Sequence, residues 1–236
     1  MEEQFLRCEM MLGSVAMETL ARSHVAVFGL GGVGSWAAEA LARTGIGHLT
    51  LIDHDTVGLT NLNRQAQATH ETLGMDKAEA LARRIGLLSP SCKVDTIVGK
   101  YAADCREDFW RKYDYVLDCI DLVSCKLDLI ETALSRNIPI LSALGTGNKL
   151  DLTQLQVSDI SKTEGCPLAR IIRKELRARG INHHKVVWSA ELAHETTQSE
   201  APPPGRRSVP ASVMWVPASA GLLMAATCVK DLTGIE

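Results

Sequence analysis

Short apolar runs alternate along the chain with longer stretches in which apolar residues recur at helical spacing. The runs are HVAVFG, HLTLID, KVDTIV, YDYVLDCID and IPILSALG. Residues 33–43, 76–88 and 124–136 have the spacing of helices, as do residues 4–22 ahead of the first run. Strands that alternate with helices predict an α/β fold whose parallel sheet is covered on both faces.

The pattern changes after Gly147. Two further strand-like runs, LTQLQVSDI and KVVWSAEL, flank a basic helix near residues 167–179, and a last helix covers about 217–233. Before that last helix, APPPGRRSVP interrupts the chain as a polar, proline-rich loop. We therefore expect a Rossmann-like, mostly parallel sheet with helices on both faces and a mixed C-terminal extension of the sheet.

Composition excludes some classes of protein. A net charge of −3 over 236 residues gives no overall attraction to nucleic acid. The seven cysteines include no CxxC pair, which indicates reduced thiols and a cytoplasmic location and argues against a zinc site of paired cysteines. The N-terminal residues lack the apolar core of a secretory signal, and the most apolar stretch falls short of the ~20 residues that span a bilayer. We expect no association with membranes.

A glycine-rich loop joins the first predicted strand to the next helix. Gly29, Gly31 and Gly34 form the pattern GxGxxG, with Gly32 inside it. Such glycines permit a tight turn and a close approach of backbone to phosphate, and the helix N-terminus offers free N–H groups. Asp53 ends the second strand, where a carboxylate accepts hydrogen bonds from ribose hydroxyls. The loop predicts a nucleotide site, but it suits NAD as well as ATP.

Polar residues after the second strand favour a triphosphate. The segment DHDTVGLTNLNRQ carries Asn61 and Arg64, and GMDKAEALARR places Lys77 in the first turn of a helix. Two cations facing the glycine loop would balance the charge that develops during nucleotidyl transfer, whereas a nicotinamide site does not require them. The sequence therefore favours ATP.

Triphosphate chemistry also needs a divalent cation. The run YVLDCID ends a predicted parallel strand with Asp118 and Asp121, at the sheet edge where such folds bind ligands. Magnesium usually takes one or two carboxylates together with phosphate oxygens. We expect Asp121 to bind the metal and Asp118 to cap a helix or support the site.

Four of these blocks, GLGGVGS, LIDHDTVGLTNLNRQ, GMDKAEA and LDCID, resemble the ThiF/MoeB superfamily of ubiquitin-activating-enzyme-like adenylating proteins. The leading EQFLRCEMMLG is similar to a family segment in which an arginine, Arg7 here, reaches the ATP phosphates of the other subunit of a homodimer. The resemblance implies ATP and magnesium as cofactors, and it allows a bound monovalent cation. It implies catalytic roles for Arg7, Arg64, Lys77 and Asp121, with Asp121 on the metal. The implied nucleotide contacts are Gly29, Gly31, Gly32, Gly34, Asp53, Asp55, Asn61, Arg64 and Lys77.

The second half of the chain narrows the resemblance. CPLARIIRKELRARGI, VVWSAE and VPASAGLLMAATCVKDL resemble the branch of tRNA threonylcarbamoyladenosine dehydratases, although Cys166 and Trp188 stand where that branch usually has aspartate and tyrosine. The implied reaction is ATP-dependent adenylation of the carboxylate of threonylcarbamoyladenosine in tRNA, followed by a cyclising dehydration. We expect one domain over residues 1–236, with a nucleotide-binding half at 1–147 and a half at 148–236 for tRNA and dimer contacts. A cysteine-desulfurase or sulfur-acceptor system is a further implied partner.

A basic patch supports tRNA as the partner. Between Lys162 and Lys185 there are seven lysines and arginines against two glutamates, and Arg206 and Arg207 follow the proline run. Such density is typical of a surface that binds a phosphate backbone, or of a solvated helix face. His183 and His184 are expected to meet solvent or phosphate. The residues expected to bind tRNA are Arg170, Arg173, Lys174, Arg177 and Arg179.

Three alternatives stay open at this point. Cys166 precedes Pro167 at a helix start and could be a nucleophile, although an intramolecular cyclisation needs none. The chain could instead adenylate the C-terminus of a ubiquitin-like sulfur carrier, as MoeB and ThiF do, but the missing CxxC pairs and the basic helix argue against it. An NAD-dependent oxidoreductase or a non-catalytic nucleotide sensor is the third, opposed by Arg64 and Lys77.

Overall fold

Seven strands form one sheet in the computed structural model, which describes residues 2–197 and 209–235. Their order across the sheet is β3-β2-β1-β4-β5-β7-β6. Neighbouring strands are parallel except at β6, which runs antiparallel to β7. The prediction of a mostly parallel sheet with a mixed C-terminal extension is confirmed. The strands are β1 (His24–Phe28), β2 (His48–Asp53), β3 (Lys93–Val98), β4 (Tyr115–Asp118), β5 (Ile140–Ala143), β6 (Leu155–Asp159) and β7 (Lys185–Ser189).

Helices cover both faces of this sheet, also as predicted. The expected leading helix over 4–22 is two helices, because Gly13 adopts a φ of +83° and turns the chain between them. No helix among the described residues has the length and apolar character needed to cross a bilayer. The helices are α1 (Leu6–Leu12), α2 (Ser14–Arg22), α3 (Gly34–Thr44), α4 (Lys77–Leu88), α5 (Val123–Ser135), α6 (Pro167–Ala178) and α7 (Trp215–Thr233).

The two faces of the sheet carry separate apolar cores. Successive side chains of a strand point to opposite faces, so Val25 and Val27 of β1 pack with α2, α3, α4 and α7. Ala26 and Phe28 pack on the other face with α5, α6 and the aromatic residues of segment 101–113. Because β1, β2, β4 and β5 are buried on both faces, apolar runs rather than alternating ones marked them in the sequence, whereas the edge strand β3 is mostly exposed.

The strand order reverses between β1 and β4, and the position of this reversal determines where a ligand crevice forms. From β1 the chain moves outward to β2 and β3, and then returns to β4 on the other side of β1. In open parallel sheets such a reversal leaves a crevice at the carboxyl ends of the strands. Four strands, β2, β1, β4 and β5, therefore end around one opening.

His184 is buried, so the expectation that it meets solvent or phosphate is wrong. It directly precedes β7, and its backbone N–H and C=O bond to Asp159 Oδ2 and to the Ile160 N–H where β6 ends. Its Nε2 lies 2.7 Å from Ser142 Oγ. Burial, and then the charge of Lys126, lowers the pKa of His184 to about 4. His183 remains exposed, 3.3 Å from Asp159.

This burial predicts acid sensitivity. Below a pH of about 6.5 the unfolded chain protonates His184 while the folded chain does not, so stability falls as the pH drops toward about 4, by about 3 kcal/mol in total. Glutamine does not titrate, so in His184→Gln the unfolded chain takes up no proton at this position. The free energy of unfolding of this variant should therefore fall less between neutral and acidic pH than that of the wild type. Urea denaturation at the two pH values measures the difference. His183→Gln should behave like the wild type, and equal acid sensitivity in all three proteins would contradict the assignment.

Candidate active site

A cavity of about 720 Å³ lies at the reversal point of the strand order. It brings together pieces that are far apart in the sequence. They are the glycine loop (29, 31–33), the end of β2 (52–55), Asn61, Arg64, Gln65, Lys77, residues 99–101, the loop after β4 (119–122), Cys125, residues 143–147 after β5, Leu168, and residues 209, 210 and 212. All the cofactor residues predicted from the sequence except Gly34, which lies directly behind the loop, belong to this lining.

The glycine loop leaves no room for a side chain at its first and last glycines, Gly29 and Gly34. Gly29 has a φ of +87°, and a Cβ there would lie 2.8 Å from the carbonyl oxygen of Cys119. At Gly34 a Cβ would lie 1.9 Å from the oxygen of Gly29, whereas Gly31 meets nothing within 4 Å. Since α3 begins at Gly34, the loop delivers the N-terminus of α3 to the cavity. Backbone amides at such a terminus are suited to bind an anion.

Asp53 fixes this loop as well as lining the cavity. Its carboxylate is buried, and Oδ2 accepts the backbone N–H of Leu30 at 2.6 Å. Oδ1 accepts the N–H of Asp55 at 2.8 Å. Each carboxylate oxygen has a second lone pair, so contact with a ribose hydroxyl remains compatible with both bonds. That contact stays a prediction.

The segment 61–67 after β2 forms the opposite wall, bonded to the glycine loop. Gln67 donates from Nε2 to the carbonyl oxygen of Leu30 at 2.8 Å, and Trp36 of α3 donates from Nε1 to that of Arg64 at 2.9 Å. Within the wall, Asn61 accepts the N–H of Gly58 through Oδ1 at 3.0 Å. The hydrogen bonds of segment 61–67 therefore fix this side of the cleft relative to the glycine loop and α3.

Both predicted cations, Arg64 and Lys77, lie on the side of the cavity opposite the glycine loop. Arg64 lines the cavity and donates from Nη1 to the oxygen of Thr60 at 2.8 Å. Lys77 is buried except for its approach to the cavity, with Nζ 2.7 Å from Oδ2 of Asp55. The backbone N–H of Lys77 also donates to the carbonyl oxygen of Asp55 at 3.0 Å. Asp55 therefore orients the lysine, a role additional to the predicted nucleotide contact.

The two aspartates after β4 have different environments. Asp121 is exposed and lines the cavity, as its predicted role requires. Asp118 is fully buried, 2.6 Å from Nζ of Lys126, which is also fully buried. Asp118 Oδ1 accepts the N–H of Ile120 at 3.1 Å, and Lys126 donates to the oxygen of Ala143 at 3.0 Å. The pair thus supports the loops that carry Asp121 and the lining after β5.

Sequence reasoning missed Lys126. A signal was present, because Val123, Leu127 and Ile130 place position 126 on the apolar side of α5. A lysine on a buried helix face requires a partner. The candidate partner in the sequence was Asp118, the carboxylate at the end of the strand that precedes α5, and the structure pairs it with Lys126.

Two cysteines near the cavity, Cys166 and Cys119, have surroundings that bear on a nucleophilic role. Cys166 is buried and accepts the N–H of Ala169 through Sγ at 3.5 Å, so it caps α6. Cys119 lines the cavity, but burial and the neighbouring charge of Asp118 raise the pKa of its thiol. A neutral thiol is a poor nucleophile. Cys119 is therefore poorly suited to attack a substrate.

The other predicted site residues lie outside the described cavity lining. Arg7 is exposed on α1. On α6, Arg170, Lys174 and Arg177 are exposed at the i, i+4, i+7 spacing of one helix face. Arg206 and Arg207 lie outside the described residues.

Two of the predicted tRNA contacts have partners within the protein. Arg173 donates from Nη1 to both the carbonyl and the hydroxyl oxygen of Thr163 at 2.6 Å, which ties α6 to the end of β6. Arg179 forms ion pairs with Glu175 at 2.9 Å and with Glu131 at 3.3 Å. The bonds to Thr163 occupy donors of Arg173, and the two glutamates offset the charge of Arg179.

Comparisons with known proteins agree with this architecture. The model of the ThiF family matches residues 5–236. The chain is similar to the tRNA threonylcarbamoyladenosine dehydratase of Bacillus subtilis, with 39% identity over 98% of this chain and 95% of that protein. The Escherichia coli protein of the same name is 44% identical over 70% of this chain and 62% of its own length. Crystal structures of the E. coli enzyme with AMP and with ATP have TM-scores of 0.89 and 0.88, at 34% and 35% identity, and cover 98% of this chain and 94% of theirs. The chain therefore belongs to the ThiF family.

Proposed function

We propose that this protein is an ATP-dependent tRNA threonylcarbamoyladenosine dehydratase. The observation that carries the proposal is the cleft itself, in which a glycine loop at a helix N-terminus faces Arg64 and Lys77, with Asp121 at its edge. Relatives that align with nearly the whole chain bear the name of this activity. The comparisons thus bear out the activity inferred from the sequence.

The first step is transfer of AMP to the threonyl carboxylate. A carboxylate oxygen attacks the α-phosphorus, and pyrophosphate leaves. The N-terminus of α3 and the cations Arg64 and Lys77 stabilise the charge that develops on the phosphates. Asp55 holds Lys77 in position by their 2.7 Å ion pair, so little reorganisation is needed when the nucleotide binds.

Asp121 is the residue that would hold magnesium. Its carboxylate lines the cavity and is a suitable ligand for a hard cation, and the Asp118 carboxylate would not serve because it is buried against Lys126. When bound, the metal neutralises part of the phosphate charge. The monovalent cation allowed by the resemblance stays a prediction, and the scheme does not require it.

The second step is ring closure. A nitrogen of the carbamoyl group attacks the acyl carbon, the bond from that carbon to the AMP oxygen breaks, and the nitrogen loses its proton to solvent. Water is thereby removed overall at the expense of ATP. Proximity of the two groups in one side chain supplies most of the assistance. The raised pKa of Cys119 and the capping role of Cys166 are consistent with a route that uses no thiol.

A homodimer completes the proposal. The exposed side of α1 carries apolar side chains next to Arg7, and Met10 and Met11 are each 86% exposed. Exposed apolar patches of this kind mark protein interfaces. We propose that α1 docks on a second copy and brings Arg7 to the partner's phosphates. This surface lies in the half at 1–147, so dimer contacts would not be confined to 148–236.

The tRNA would approach along α6. Leu168, in the first turn of α6, lines the cavity, and Arg170, Lys174 and Arg177 lie together on an exposed face on the other side of the same helix. We propose that a phosphate backbone binds this face while the modified nucleoside enters the cleft at the start of α6. The seven free cysteines agree with the reducing cytoplasm as the location. The sulfur-transfer partner remains a prediction from the resemblance.

The direct test is incubation of the protein with ATP and tRNA that carries threonylcarbamoyladenosine. Nucleoside mass spectrometry should show a product lighter by one water, and exchange of pyrophosphate into ATP should be detectable. Lys77→Ala and Asp121→Ala should each reduce both signals by a factor of about a hundred or more, because fixed charges around the phosphates are lost. Arg83→Ala, which removes an exposed cation from the same helix as Lys77, is the matched control. Activation of a small carrier protein instead of tRNA, or retained exchange in Lys77→Ala, would contradict the proposal.

The proposed tRNA surface predicts a salt dependence. Arg170→Ala, Lys174→Ala and Arg177→Ala should each weaken tRNA binding and lower the slope of log Kd against log salt by about one, because each neutralised phosphate releases counterions. Filter binding over a salt series measures the slope. Arg173→Ala should lower the melting temperature instead, with a smaller change in slope, because its guanidinium holds Thr163. If affinity does not change with salt in the wild type, α6 is the wrong surface.

The role of Arg7 predicts complementation between two inactive variants. Arg7→Ala and Lys77→Ala should each be nearly inactive as homodimers. A mixed dimer contains one complete site, formed by Lys77 of one subunit and Arg7 of the other, so an equal mixture that has exchanged subunits should recover about one quarter of wild-type activity. Activity after co-expression with two different tags measures the recovery. No recovery in isolated mixed dimers would place Arg7 outside the partner's site.

A further inference from the structure

The described residues 209–213 form one wall of the cavity. Val209, Pro210 and Ser212 line it, next to the segment 143–147 that follows β5. Contact between the two segments is close, because a Cβ on Gly147 would lie 2.8 Å from Cβ of Pro210. Residues 209–213 belong to no helix or strand, because α7 begins only at Trp215. Two asparagines from elsewhere in the chain hold this wall instead.

Asn148 holds the wall from the side of β5. Its N–H donates to the carbonyl oxygen of Ala211 at 2.8 Å, and its Oδ1 accepts the N–H of Ala211 at 2.7 Å. Both backbone groups of one wall residue are thus satisfied by a single asparagine. Asn148 has a φ of +58°, a conformation in which asparagine is enriched among residues other than glycine. Its carbonyl oxygen also accepts the N–H of His194 at 2.8 Å.

Asn63 holds the wall from the phosphate side. Its Nδ2 donates to the carbonyl oxygen of Ser212 at 3.0 Å. Its Oδ1 accepts from Nη1 of Arg64 at 2.9 Å. The amide group of Asn63 therefore connects two parts of the site. One is the guanidinium of Arg64, which we propose binds ATP, and the other is segment 209–213, which we propose faces the acyl substrate.

We propose that Asn63 and Asn148 are positioning residues that fix segment 209–213 as a wall shared by the nucleotide and the acyl substrate, and that Asn63 couples the binding of the two. Engagement of Arg64 by phosphate orients the amide of Asn63, which in turn fixes Ser212. Asn148 holds the neighbouring residue in place against the other side of the cleft. The inference rests on the proposed function for the identity of the acyl substrate, but the anchoring itself depends on ATP and the wall alone.

Substitutions can separate these bonds. Asn148→Gly keeps the left-handed backbone and the N–H donated to Ala211, and removes the side-chain acceptor. Asn148→Asp restores that acceptor. Asn63→Ala removes both bonds of the bridge. Asn137→Gly is the matched control, because Asn137 also has a positive φ, of 55°, but lies at the end of α5.

Hydrogen exchange tests the anchoring without reference to tRNA. In the wild type, ATP should slow exchange of the amides of residues 211–213. Asn148→Gly should exchange about tenfold faster there, the loss expected from one hydrogen bond, while Asn148→Asp and Asn137→Gly stay near the wild type. In Asn63→Ala, ATP should no longer slow the exchange. Equal exchange in all variants, with and without ATP, would overturn the proposal.

Kinetics test the coupling. At saturating ATP, Asn148→Gly should raise the KM for tRNA by up to about tenfold and leave the Kd for ATP within about twofold, because its lost bond is not on the phosphate side. In the wild type, bound tRNA should tighten ATP binding, and ATP should tighten tRNA binding by the same factor. Asn63→Ala should abolish both effects. If Asn148→Gly binds ATP more weakly, has a higher KM for tRNA and melts at a lower temperature, all to a similar extent, the role of Asn148 is structural alone and the proposal is rejected. If the wild type does not act on tRNA, the proposed function fails while the exchange experiment still decides the anchoring.

Discussion

The glycine loop is confined between the ends of two parallel strands, and the rest of the site depends on this confinement. On one side Asp53 of β2 accepts the N–H of Leu30, and on the other a Cβ at position 29 would come within 2.8 Å of the Cys119 carbonyl. The same two strand ends carry Asp55 and Asp121 into the cavity. Fixing the loop therefore also fixes the distance between the carboxylates and the N-terminus of α3. A triphosphate bound by backbone amides would meet side chains that were placed by the same contacts.

Two lysine–aspartate pairs surround the cleft, and their burial gives them different roles. Lys77 and Asp55 form a pair open to the cavity, with the Asp55 side chain about half exposed, so the lysine can exchange part of its interaction for a phosphate oxygen. Lys126 and Asp118 are fully buried. Loss of one partner from such a pair leaves an uncompensated charge and costs about 3–5 kcal/mol. The first pair is suited to binding a charged ligand, and the second to holding two loops in a constant position.

Local patterns in the sequence were sufficient for the fold and for most of the cleft. The apolar runs, the GxGxxG spacing and the acidic strand ends each express a local rule, and the parallel order of β1 to β5 follows from the alternation of strands with helices. What could not be predicted depends on contacts between distant residues. His184 becomes buried because β6 pairs with β7, and Asn63 bonds to a residue that follows it by 149 positions. The break at Gly13 is a local feature, since its φ of +83° separates α1 from α2.

Counting charge along a sequence overstates what a surface offers to a polyanion. Seven cations between positions 162 and 185 suggested a uniform patch, yet Arg173 is bonded to Thr163, and Lys185 lies 2.7 Å from Asp231. Where Nη1 of an arginine or the ammonium of a lysine already has partners inside the protein, those donors must break their bonds before they can bind phosphate, which reduces the net gain. The exposed spacing of Arg170, Lys174 and Arg177 therefore matters more than the total. Among the described residues of α6, only Leu168 lines the cavity, so the three exposed positions remain the proposed contacts for a phosphate backbone, and a charge count alone cannot separate them from Arg173 and Lys185.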